Sequence, residues 1–137
     1  YVDSRELLVL ADAGGSNGYR LRHFKKLLQE KLADEFNLKV TVCHFPSGAS
    51  KWNPVEHRLF GPISCHWSGI PLRSLKLLLQ LIRTTVTKGG LKVCAHLTCK
   101  TYRTGIRVSN AEMETLNLRR HPVCPRWNYT IEPHQQE

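Results

Sequence analysis

The chain reads as an α/β fold with a strand-helix-strand-helix core, a mixed sheet and a small β-containing C-terminal extension. Three observations predict it. Residues 7–11, Leu-Leu-Val-Leu-Ala, form a near-continuous apolar run of the kind found in a strand covered on both faces. Tyr19 to Phe36 places Phe24, Leu27, Leu28, Leu32 and Phe36 at helical spacing among Arg, Lys, Gln and Glu. Leu38, Val40 and Val42 then alternate with Lys39, Thr41 and Cys43 as a second strand, and strand-helix-strand order implies a right-handed parallel crossover. With 137 residues, 41% hydrophobic composition and no dividing linker, one domain is expected, its core over 1–88 and its extension over 89–137.

The later elements follow in order. Ser47-Gly48-Ala49-Ser50 reads as a loop into a helix that Asn53 caps, with Pro54 at the first helical position and an end near Trp67. Pro71 opens another helix, Leu72 to Thr87, so rich in leucine that most of it should be covered. Leu91, Val93, Ala95 and Leu97 alternate with Lys92, Cys94, His96 and Thr98 as an antiparallel-type strand, and Thr104 to Val108 is its expected partner. Ser109 and Glu112 have capping-box spacing for a short helix ending near Leu116. Arg126 to Ile131 is expected to add a short strand, and the chain from Glu132 onward to fray.

Twenty Lys+Arg against eleven Asp+Glu leave a formal charge of +9 and a pI near 9.6, an excess that favours polyanionic partners through counterion release. Arg20, Arg22, Lys25 and Lys26 follow the glycine-rich turn after Asp12, and Lys51, His57 and Arg58 flank Glu56, so positive charge is expected beside both acids. Trp52 and Phe45 offer rings for stacking on a base or for packing. No apolar run reaches the ~20 residues of a membrane span and no signal peptide opens the chain. A soluble, cytoplasmic protein without a membrane partner is expected. Five cysteines, an odd number without a scaffold's spacing, fit reduced thiols. Cys94, His96 and Cys99, followed by His121 and Cys124, raise a zinc site, but no paired C-x-x-C supports it.

Two carboxylates stand in special contexts. Asp12 ends the first apolar run and opens into Gly14-Gly15-Ser16-Asn17-Gly18, the place where α/β sheets put reactive groups. Glu56 falls three residues after the Asn53 cap, fixed at a helix start. Each also has a plain structural reading: Asp12 as an Asx-type turn, Glu56 as a capping-box partner reaching back to the Asn53 amide.

The wording of these stretches resembles a DDE transposase. Leu8 to Gly18 followed by Asn53-Pro54-Val55-Glu56 looks like the second acid and the terminal glutamate. The series Ala-Asp-x-Gly-Gly-Ser-Asn-Gly, Val42-Cys43-His44-Phe45-Pro46 and Ser50 through Phe60 is similar to the Rhodopirellula-type transposase DDE domain of bacterial insertion sequences. It continues through Thr87-Lys88-x-Gly90-Leu91-Lys92-Val93 and Thr104 to Ser109 to Trp127-Asn128-Tyr129-Thr130-Ile131, nearly the whole chain.

The resemblance implies a ribonuclease-H-like fold, here partial, in which Asp12 and Glu56 are catalytic and ligate Mg²⁺ or Mn²⁺ at the carboxyl edge of two adjacent parallel strands. It implies DNA cleavage and strand transfer by two ions roughly 3.5–4 Å apart. Asn17, Asn53 and His57 would support that site. Arg20, Arg22, Lys25, Lys51, Trp52 and Arg58 would face DNA, both element ends and target, in a homo-oligomer. One departure stands out: the family's first aspartate lies on an early strand, and this chain starts only a few residues before the Asp12 strand. Asp3 cannot easily replace it, because nine residues of strand cover about 30 Å. The expectation is the C-terminal portion of a catalytic domain, inactive by itself. The alternative is a non-catalytic nucleic-acid-binding or assembly module that keeps the fold.

Overall fold

The computed structural model describes residues 3–135. They group into two compact units, one formed by residues up to Gly48 together with those from Arg103 onward, the other by Ala49–Tyr102.

The first unit is a four-stranded mixed sheet with helices. Strand β1 (Glu6–Asp12) pairs in parallel with β2 (Lys39–Phe45), from Glu6 opposite Lys39 to Asp12 opposite Phe45. Two C-terminal strands, β3 (Leu118–Arg120) and β4 (Asn128–Ile131), complete the order β1-β2-β4-β3, with β4 antiparallel to both neighbours. The period-2 pattern of β2 sends Val40 and Val42 into the core, where they meet Tyr129 and Ile131 of β4, all four at 0% exposure. The sequence reading of β1 as covered on both faces is corrected. Val9 and Ala11 pack against the core, but Leu8 and Leu10 on the opposite face of this edge strand are 60% and 56% exposed.

Between β1 and β2 runs helix α1 (Arg22–Leu28), which continues as a wider π-helical stretch over Gln29–Asp34. It starts at Arg22 rather than Tyr19, since Tyr19 and Arg20 are used in the turn. Gln29, 1% exposed, is fully bonded: its amide donates to Asp34 and to the Glu132 carbonyl, and its oxygen accepts from the Asn117 amide. Asp34 in turn accepts from the His134 amide. The predicted fraying from Glu132 is therefore corrected for residues 132–135, which are bonded at Glu132 and His134; the last two residues lie outside the described residues. Helix α4 (Asn110–Glu114) carries the expected capping box, Ser109 and Glu112 each accepting from the other's backbone amide.

In the second unit, a π-helical turn over Glu56–Phe60 leads into α2 (Gly61–His66). Helix α3 (Leu75–Arg83) begins at Ser74, whose hydroxyl accepts from the Leu77 amide, and not at Pro71. None of its leucines is buried, contrary to the expected coverage. The expected strands over 91–97 and 104–108 do not form. Leu91, Val93 and Ala95 are half-buried while Lys92, Cys94 and His96 are exposed, so the alternation is real, but its backbone makes only the single bridge Lys92 to Val86.

Candidate functional site

Asp12 stands at the carboxyl end of the β1–β2 parallel pair, exposed, with Oδ1 accepting from the Ala13 amide at 2.8 Å. That is the local turn bond, and it leaves the other carboxylate oxygen without a protein partner among the described residues. The turn beyond it is held tightly. A Cβ at Gly18 would lie 2.9 Å from the Ala13 carbonyl oxygen, so only glycine fits there. Buried His44 closes the arrangement: Nε2 lies 2.9 Å from the Asn17 carbonyl and Nδ1 2.8 Å from that of Trp127. One imidazole thus ties the turn after Asp12 to the segment leading into β4. Asn17 takes part through its backbone, as a turn residue.

Glu56 is exposed in the first turn of its helix. Asn53 caps that helix as expected, its Oδ1 accepting from the Val55 amide at 3.2 Å and its carbonyl from the Glu56 amide at 3.1 Å. The Glu56 carboxylate does not reach back to the Asn53 amide and has no bond or ion pair among the described residues. His57 turns toward Lys51, with Nε2 3.2 Å from its carbonyl. Lys51 lies over the Trp52 ring at 5.4 Å from its centroid, and Trp52 is 72% exposed; Arg58 is exposed as well.

The other basic residues are drawn together. Arg20, Arg22 and Lys25 line one cavity of about 360 Å³ with Tyr19, Arg120 and Arg126. Tyr19 stacks on Trp127 with ring centroids 5.2 Å apart, and the Arg20 and Arg126 guanidinium groups lie over the same ring at 5.2 Å and 5.9 Å. Burial, then the charges of Arg120 and Arg22, hold the Lys25 ammonium below its usual pKa. Arg120 and Arg126 were not singled out from the sequence. Their signal was the basic and aromatic interleaving of Arg119-Arg120 and Arg126-Trp127, masked by the 95 and 101 positions that separate Arg120 and Arg126 from Lys25.

Among the described residues no three His, Cys, Asp or Glu come together in a group that could hold a metal ion. This holds for Cys94, His96 and Cys99 as for the acids, and the five cysteines are free thiols. Asp12 and Glu56 each have the donor chemistry a hard divalent ion takes, and among the described residues neither belongs to a group of three such donors. No helix among the described residues is long and apolar enough to cross a membrane.

Residues 1–133 match the family described as Rhodopirellula transposase DDE domain. The chain belongs to this family. No curated protein and no solved structure matches it. Membership gives the chain a transposase-type function, in a family of DNA-binding enzymes that generally use divalent metal. Within this DDE domain the mixed α/β architecture presents one expected acid, Asp12, at the edge of its sheet.

Proposed function

We propose that the chain carries Asp12 as the second acid and Glu56 as the terminal glutamate of a DDE set, on a ribonuclease-H-like sheet, for metal-dependent cleavage and strand transfer of DNA. Both compact units then belong to one catalytic domain. The observation that carries this reading is family membership over residues 1–133 joined to the position of Asp12 at the carboxyl edge of a parallel strand pair. Bound Mg²⁺, or Mn²⁺ in its place, would activate the attacking oxygen and stabilise the leaving one. The chain's own residues supply the scaffold for this: Gly18 and His44 hold the turn after Asp12, and Asn53 fixes the helix start at Glu56.

A second reading, a nucleic-acid-binding or assembly module without catalysis, is favoured by the absence of a three-acid group among the described residues. Exposed Leu8 and Leu10 on the edge strand support self-association in either case. Mn²⁺ titration followed by amide line broadening separates the two readings. Catalytic descent predicts broadening beside Asp12 and Glu56 that Asp12→Asn and Glu56→Gln abolish, with no plasmid nicking by the chain alone. Unbroadened amides at both positions would leave the second reading, whereas strong nicking lost in Glu56→Gln would reveal a third acid in this chain.

A further inference from the structure

The cavity between α1, α4 and β3 holds five cations and no acid: Arg20, Arg22, Lys25, Arg120 and Arg126 line it with Tyr19, and no ion pair engages any of the five among the described residues. Three of them are nonetheless held by hydrogen bonds. Lys25, only 6% exposed, donates to the Tyr19 carbonyl at 2.7 Å, Arg22 to the Val108 carbonyl and to Asn110 Oδ1 at 3.1 and 2.7 Å, and Arg120 to the Pro125 carbonyl at 3.0 Å. Every one of these acceptors is neutral. An ammonium has three donors and a guanidinium five, so each group keeps unused N–H while its charge stays uncompensated. Crowded cations without a counter-charge oppose folding, and an anion bound among them reverses that cost.

We propose that this cavity is a built phosphate site, taking either a phosphodiester of nucleic acid or a free phosphate group. Guanidinium forks match phosphate oxygens in pairs, and Lys25 adds a point charge at the back of the cavity. Tyr19, which stacks on Trp127 and lies under the Arg126 guanidinium, adds an aromatic residue to the same lining. The site itself stands on these contacts; only the nucleic-acid source of its ligand rests on the DNA-facing reading.

Calorimetry with inorganic phosphate, against chloride at matched ionic strength, tests the site on the purified chain. Phosphate should bind at one site, Arg126→Gln and Arg120→Gln should each weaken it about tenfold or more, and Arg119→Gln, altered at a residue paired with Glu132 outside the cavity, should leave it unchanged. Arg126→Lys, which keeps the charge and loses the fork, should fall between them. A short single-stranded oligonucleotide that competes with phosphate, and whose salt slope falls by about one contact in Arg126→Gln, identifies the phosphodiester source. Phosphate binding without such competition identifies free phosphate and removes this cavity from the DNA surface. Equal heats in phosphate and chloride, or unchanged phosphate binding in both Gln variants, overturn the proposal, and DNA binding that persists in those variants shows that the DNA reading survives it.

Discussion

The sheet-containing unit and the Ala49–Tyr102 unit treat their apolar residues in opposite ways. In the first, seven residues from β1, the α1 segment, β2 and β4 form one buried cluster. In the second, Ile63 is the buried hydrophobic residue among those described, while Phe60, Ile70, Leu72, Leu75, Val86 and Leu97 are exposed. Composition does not cause the difference, since α3 is the most leucine-rich helix of the chain. A hydrogen-bonded ladder does: it commits alternate side chains of β2 and β4 to a common face, whereas an amphipathic helix gains nothing until a surface covers it. Asp12 is thus presented from a cross-braced edge, and Glu56 from a helix start held by an adjacent cap.

The sharpest test of this contrast is a matched pair of truncations. Ile131→Ala, in the centre of the buried cluster, should cost about 2–5 kcal/mol and lower the urea midpoint of the sheet unit. Ile63→Ala should cost less and, by native-state hydrogen exchange, loosen amides within Ala49–Tyr102 while those of β2 stay protected. Equal loss of protection in both units from either substitution would show that they unfold as one.

A smaller effect comes from the two serine caps. Ser74→Ala removes the acceptor for the Leu77 amide and should cost about 1 kcal/mol, read as faster exchange through α3. Ser109→Ala removes both the acceptor for the Glu112 amide and the hydroxyl's own bond to the Glu112 carboxylate, and should cost somewhat more. The reverse ranking would mean that α3 is more tightly braced than its exposed leucines indicate.

The smallest effect is electrostatic. The hydrogen bond from Lys26, followed by those from Ser109, holds the Glu112 carboxyl at about 2 against an ordinary 4.5. A depressed carboxylate pKa contributes stability that is complete above the unfolded value and is lost as pH falls toward the folded one. Urea midpoints should therefore drop between about pH 4.5 and 2, and Glu112→Gln should flatten part of that slope. An unchanged slope in the variant would show that the pair contributes nothing measurable, as many exposed ion pairs do.

What the sequence alone determined lies within a few residues of itself: the strands at 7–11 and 38–43, the Asn53 and Ser109 caps, the glycine-rich turn after Asp12, and the family wording that spans them. Such features rest on side-chain period and on bonds between near neighbours, which a local pattern carries in full. Tertiary structure decided the rest. That β4 joins β2 depends on pairings such as Thr41 with Thr130, 3.0 Å apart across 89 positions, and no local alternation encodes its partner. Strand β3, three residues long, is too short to show a period. The same return of the chain braces Glu132 and His134, leaves β1 as an edge, and brings Arg120 and Arg126 to Lys25. Strand order is set by which backbone groups satisfy one another over long separations, and that order, more than any single motif, chose which charges share a cavity.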